Sequence, residues 1–453
     1  MAISSAGIGS NLDVNGLVSQ LMAIERRPLN VLDQKKSLLT SEISAYGKLK
    51  SDLAALQSAI GALKDRTDFQ VFKAIPATDV YFTATADATA LPGTHSITVT
   101  QLAQAQKLVS GAFADTNTTQ VGLGTLTLSN GTNSFTVTID SSNNTLAGIA
   151  NAINSATGNF GVSATLLNDG TGYRLVLSPN DTGAAKAITV AVTDTGDGNN
   201  TDNLGLSRLS YVAGGQNLTQ TVAAQDAVLT VDGLTGITSA SNSVSGVIQG
   251  VTLNLKAVGS TQLTVAVDRD AITAKVNDFI NAYNKLVSDM DELHQKGGTL
   301  EAQNTVLTIQ SQILGVFNAS VNLPGNDFNY LAQIGISLQK DGKLALNSAD
   351  FNAAVSNKLD SVINLLTDNT QGFAQRLFTQ LDNLLQTNGV LDATTQSLNA
   401  SISDIEQRKA QLQVRLDAME QRLRAQFAAL DAMLGSMQQT SSQLLRALSS
   451  LPR

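Results

Sequence analysis

The chain has 453 residues and carries 37 Asp and Glu against 29 Lys and Arg, a net charge of −8. That length allows several domains, and the acidic balance excludes the basic footprint of a nucleic-acid binder. With no Cys and only two His, His95 and His294, disulfides, thiolate nucleophiles, Cys-held metal and His-rich metal sites are excluded.

The N-terminus, MAISSAGIGSNLDVNGL, lacks the basic start and apolar centre of a cleaved secretory signal. No run of about 18 apolar residues marks a membrane span. The expectation is a soluble chain that stays in the cytoplasm or leaves the cell without a cleaved signal. Asn11 or Asp13 can cap a first helix, because either side chain can accept from the free N–H groups of the first turn. Leu17, Leu21 and Ile24 follow at steps of four and three. Pro28 breaks or kinks that helix, since it has no N–H and clashes with the preceding turn. A second helix is expected over about 30–63, with the stripe Ile43, Tyr46, Leu49, Leu53, Leu56, Ile60 and Leu63. An amphipathic core helix and a coiled-coil partner both fit that stripe.

Composition then changes. Residues 75–272 hold 21 of the 35 Gly but only 6 of the 29 Lys and Arg, and their apolar residues alternate with period two. This reads as a β-rich insertion between helical ends. One β unit is discontinuous, with strands at 81–85 and 96–100 on entry and 227–231, 250–255 and 263–267 on return. Another lies between, with strands at 125–128, 134–139, 162–167, 173–178 and 188–192 and a short helix at 145–156. Asn130-Gly131 and Asp169-Gly170 signal turns.

Residues 273–387 read as mostly helical. Ile272, Val276, Phe279, Ile280, Tyr283, Leu286, Val287 and Met290 form one stripe, and further helices are expected at 301–318 and 348–366. A hairpin is expected over 334–346, around Asp341-Gly342. From 390 to 451 there is no Pro and one Gly, Gly435. Leu398, Ile402, Ile405, Leu412, Leu416, Met419 and Leu423 form a coiled-coil seam in which Lys409 is the one charged member. After a stutter at Leu423 the stripe continues through Phe427, Leu430, Leu434, Met437, Leu444 and Leu448. One small globule cannot bury so long a stripe, so a partner helix is required.

Catalytic features are few. Gly7-Ile8-Gly9 and Gly122-Leu123-Gly124 lack the third Gly and the strand–helix context of a dinucleotide loop. Asp194, Asp197 and Asp202 lie in a Gly/Asn-rich loop without the spacing or closing Glu of a calcium loop. Asp270 suits an N-cap better than an acid catalyst. Nothing gives His95 or His294 a base or ligand role. The chain is read as not an enzyme and as needing no cofactor.

Both ends resemble the flagellar cap protein family (FliD, hook-associated protein 2). The opening Gly7-Ile8-Gly9-Ser10-Asn11-Leu12-Asp13-Val14-Asn15-Gly16-Leu17-Val18-Ser19-Gln20-Leu21-Met22 is similar to the family's first motif, and Glu25-Arg26-Arg27-Pro28-Leu29 continues it. Leu423-Arg424-Ala425-Gln426-Phe427-Ala428-Ala429-Leu430-Asp431-Ala432-Met433 is similar to its closing motif, followed by Ser441-Ser442-Gln443-Leu444-Leu445. The stretch 276–284, Ile334-Gly335-Ile336 and Asp341-Gly342-Lys343-Leu344 resemble its helical middle. Residues 145–154 with 173–177 resemble the β-α-β motif of hook- and flagellin-type proteins.

The resemblance implies a secreted protein that passes the flagellar type III export channel and forms a homo-oligomeric ring of a few subunits at the filament tip. There it would hold exported flagellin and promote its folding into the lattice. Implied partners are flagellin, the hook–filament junction proteins, an export chaperone at the C-terminal helix and, in some members, host mucin; neither nucleic acid nor a membrane span is implied. An adhesin-like glycan-binding module on a helical stalk and a hook–filament junction protein remain as alternatives.

The resulting expectation is an α+β multidomain chain with terminal α-helical coiled-coil legs and a helical domain, and two β-rich domains inserted between them. Residues 1–40 with 395–453 would form the leg, and 41–74 with 273–394 the helical domain. Residues 75–107 with 213–272 would form the discontinuous β domain, and 108–212 the inserted outer one. In the leg, Leu12, Leu17, Leu21 and Ile24 are expected to face Phe427, Leu430, Leu434, Met437 and Leu444, with Leu448 beyond, and to make the assembly interface.

Overall fold

A computed structural model describes the backbone of residues 13–449 and the side chains up to residue 446; Gly7, Gly9, Asn11, Leu12 and the side chain of Leu448 lie outside the described residues. Among the described residues the helices are α1 (Val14–Glu25), α2 (Arg27–Gly61), α3 (Leu146–Ser155), α4 (Arg269–His294), α5 (Asn304–Asn318), α6 (Ser348–Asn357), α7 (Leu359–Thr367), α8 (Phe373–Leu385) and α9 (Val390–Ser449). The chain divides into two compact units, Met1–Phe69 with Asp270–Arg453, and Gln70–Arg269. Helices thus stand at both ends of the chain and strands in its middle, as the composition shift requires.

In the β unit every strand pairing is antiparallel. One five-stranded sheet runs in the order Phe72–Pro76, Gly259–Val267, Gly93–Gln101, Ala227–Val231 and Leu234–Ser239. A three-stranded sheet joins Ser243–Ile248, Val251–Leu255 and Phe82–Ala86. The inward residues of both sheets share one core, which includes Phe82, Ile97, Leu229, Leu253 and Leu263. Sequence reading missed several of these strands. Leu234–Ser239 is exposed at most positions, so it shows no buried alternation. Phe72–Pro76 pairs with Gly259–Val267, although the residues up to 74 read as helical flank.

A second core lies within 108–218 and draws Leu126, Leu128, Ile149, Ile153, Leu175, Leu177 and Val190 together. Helix α3 opens at Thr145, whose hydroxyl accepts the Gly148 N–H at 3.2 Å. Its steps Leu146, Ile149, Ala150 and Ile153 are all buried.

In the helical unit, the stripe of α4 is buried at all eight expected positions. Phe279, Tyr283, Phe317 and Phe373 meet there with ring centroids 4.8–6.4 Å apart. Two expectations need correction. Helix α4 starts at Arg269, which places Asp270 inside the first turn and not at a cap ahead of Ile272. The helix expected over 348–366 is two, because Lys358 leaves the helical region at φ −144°, ψ 45°. The hairpin over 334–346 forms, with Leu338 opposite Leu344.

A charged cluster ties α2 to α4. Lys285 Nζ lies 2.5 Å from Asp52 Oδ1 and 2.6 Å from Asp289 Oδ2, and Lys48 Nζ lies 3.0 Å from Asp289 Oδ1. Asp52 is buried, and burial pushes its pKa up while the Lys285 hydrogen bond opposes that rise. Burial also works against ionised Asp289, but hydrogen bonds from Lys285, Asp52 and Lys48 outweigh it and hold its pKa down at about 2.

Candidate assembly interface

The first described turn is capped by Asp13, whose carboxylate accepts the Gly16 N–H at 2.8 Å. Helix α1 stops at Glu25, and α2 begins at Arg27 with Pro28 in its first turn, where a missing N–H costs nothing. Both helices pack on α9, which at 60 residues is about 90 Å long at the α-helical rise.

The contact is built on four-residue steps. Val14, Val18 and Met22 are buried together with Leu416, and Leu29, Leu412, Met419, Leu423 and Phe427 pack around them. Ile405 and Leu416 are buried, and Leu398, Ile402, Leu412, Met419 and Leu423 are half-buried. Lys409, the charged member, pairs with Asp33 across the helices. Two further cross-helix pairs lie along the same side, Arg26–Glu420 at 3.2 Å and Lys36–Glu406 at 2.5 Å. The Glu406 hydrogen bond raises the Lys36 pKa and lowers that of Glu406.

The facing residues differ from those expected. Leu17, Leu21 and Ile24 are 38%, 41% and 55% exposed. They do not face Phe427, Leu430, Leu434, Met437 or Leu444 within the chain; Val14, Val18 and Met22 are the residues turned to α9. The reason is helical geometry. At about 100° per residue the two sets form adjacent stripes roughly 90° apart, and only one can meet a single partner. Farther along α9, Leu434 is half-buried, while Leu430, Met437 and Leu444 are 44%, 58% and 60% exposed. Sequence reading missed Val14, Val18 and Met22, whose spacing of four marks a second apolar stripe on α1 beside the expected one.

The other singled-out residues hold the fold. Asp194 is buried and accepts N–H groups from Gly196, Leu206 and Ser207 at 2.6–3.1 Å. His95 Nδ1 lies 2.7 Å from Asp232, which also accepts the Ser96 N–H and is pulled below the usual carboxylate range by those two bonds. A Cβ on Gly122 would lie 2.2 Å from the Leu206 nitrogen, so close backbone approach explains that glycine. Among the described residues no group of three or more Asp, Glu or His could hold a metal, and no helix is long and apolar enough to cross a membrane.

Comparison with known proteins falls on these same regions. The family model for the flagellar hook-associated protein 2 C-terminus matches residues 224–439, and that for the N-terminus matches 10–106. A flagellin hook IN motif matches 125–181. The B-type flagellar hook-associated protein 2 of Pseudomonas aeruginosa is 34% identical over all of this chain and 98% of its own. Flagellar hook-associated protein 2 of Escherichia coli K12 is 32% identical over 98% of this chain and 97% of its own. A crystal structure of the D1-D2-D3 domains of the flagellar cap protein FliD from Escherichia coli superposes with a TM-score of 0.64 at 33% identity. It covers 78% of this chain and 99% of that one.

Proposed function

The chain belongs to the flagellar hook-associated protein 2 family, the flagellar cap proteins, and from that premise we propose how it works. It is a filament cap subunit, extracellular at the filament tip. Neither the adhesin-like reading nor the junction-protein reading is favoured. Copies associate with one another and act on flagellin.

In the proposed mechanism a few copies close into a ring. The β unit, divided near 108 and 212 into an inner and an outer domain, forms the plate, and the terminal helices form legs that engage the filament end. The ring retains exported flagellin while it folds and inserts. The work is assembly, with no catalytic step. An export chaperone holds the C-terminal helix before secretion, the junction proteins seat the first cap, and the outer β domain is the part free to meet host mucin.

One observation carries this reading: beside a seam already filled by α9, the chain leaves apolar residues uncovered on α1 and on the last turns of α9. Covering one Leu contributes roughly 1.5–3 kcal/mol. A few such contacts per leg hold the cap yet let it step as each flagellin adds. The test replaces Leu21 and Leu430 with Asp in the full chain. We expect a folded protein that no longer supports filament growth at the tip; normal growth refutes the leg mechanism.

A further inference from the structure

The α1–α2–α9 hairpin is unequal on its two sides. Along one side run the cross-helix pairs Arg26–Glu420, Asp33–Lys409 and Lys36–Glu406. Along the other side no ion pair joins the helices among the described residues, and a groove lies open. Its first section, about 460 Å³, is lined by Glu25, Pro28, Arg415, Met419 and Arg422, among others. Its second, about 410 Å³, lies one to two heptads along, between Leu32, Lys35 and Leu39 on α2 and Ser401, Ile405 and Arg408 on α9. Pro28 and Lys35, one heptad apart on α2, line the two sections. The floor is apolar, with Leu412 and Leu416 in the first section and Leu32, Leu39 and Ile405 in the second. Two helices with an apolar floor open between them lack the third helix of a bundle.

The rim states the charge of what is missing. Arg408 is satisfied by Asp404 at 2.9 Å. Lys35, Arg415 and Arg422 have no ion-pair partner among the described residues, and Glu25 is the one unpaired acid facing them. The uncovered stripe of this chain's own α9 is a poor occupant, because residues 432–445 contain no charged side chain.

We propose that this groove docks an amphipathic helix of another protein, with an apolar seam and acidic residues on its flanks. This deepens the cap reading and rests on it, by naming the surface and charge through which a leg holds its partner. The apolar floor supplies affinity, and the three unpaired cations fix register and reject basic helices.

The experiment uses the full-length chain and two designed 21-residue helical peptides of equal helicity. Both carry Leu at alternating steps of three and four; one has Glu on the flanks and the other Lys. The chain's net charge of −8 favours the Lys peptide non-specifically, so a preference for Glu reports the local rim. We expect the Glu peptide to bind at least tenfold more tightly at low salt. The triple variant Lys35→Glu, Arg415→Glu, Arg422→Glu should reverse the order without changing helix content. Equal binding, preference for Lys, or no effect of the triple variant overturns the proposal. So does oxidative cross-linking of Ala418→Cys chains to one another, which would make a second copy the occupant. Failure here with Leu21→Asp, Leu430→Asp still blocking tip growth removes this inference alone; normal tip growth removes the leg mechanism beneath it.

Discussion

The outer β core and the terminal helical hairpin bury apolar residues to very different extents. The first gathers 22 buried residues between two sheets and α3. The second gathers four, Val14, Val18, Met22 and Leu416, although α1 and α9 carry enough Leu and Met for more. The β region completes itself within one chain. The hairpin leaves Leu17, Leu21, Ile24, Leu430, Met437 and Leu444 exposed, which in a chain built for assembly is where the partner's contribution enters.

Substitutions should separate the two regions. The largest effect is expected in the β core, where Leu126→Ala should cost about 2–5 kcal/mol in denaturant unfolding, from lost burial plus a cavity. Next comes Asp289→Asn, which leaves Lys285 and Lys48 short of a counter-charge; it should cost roughly 1–3 kcal/mol in the same measurement. The sign of its pH dependence follows from the folded pKa of about 2, below the 3.8 of a free carboxyl. Its stabilisation is complete above about pH 4 and is lost as pH falls toward 2. Acid titration of the wild type should show that loss, and Asp289→Asn should lack it. Smaller still, removing the solvent-screened pair with Glu420→Gln should move the unfolding midpoint little. Leu21→Asp should leave unfolding unchanged within about 0.5 kcal/mol while abolishing tip growth. A large loss of stability there would mean that the stripe is already used inside the chain.

Much of the fold was readable from periodicity. The eight buried positions of α4 and the seam from Leu398 to Leu423 follow three- and four-residue steps, and the strands around α3 alternate with their burial. What escaped had physical reasons. Leu234–Ser239 is a mostly exposed edge strand, held by pairing and not by an apolar face. The break at Lys358 has neither Pro nor Gly to announce it. In α1 both stripes are apolar, so spacing alone marks two candidate faces and only packing chooses between them. The groove was hidden for another reason: sequence spacing does not show which charges pair across two helices, and here the pairs lie on the other side of the hairpin.

The account stands on the exposed stripe of α1 becoming covered in the assembled cap. Because the chain has no Cys, Leu21→Cys gives a single thiol whose rate of reaction with a maleimide reports that coverage. The account expects fast labelling of the free chain and at least tenfold slower labelling of caps seated on filaments. Equal rates in the two states would contradict it.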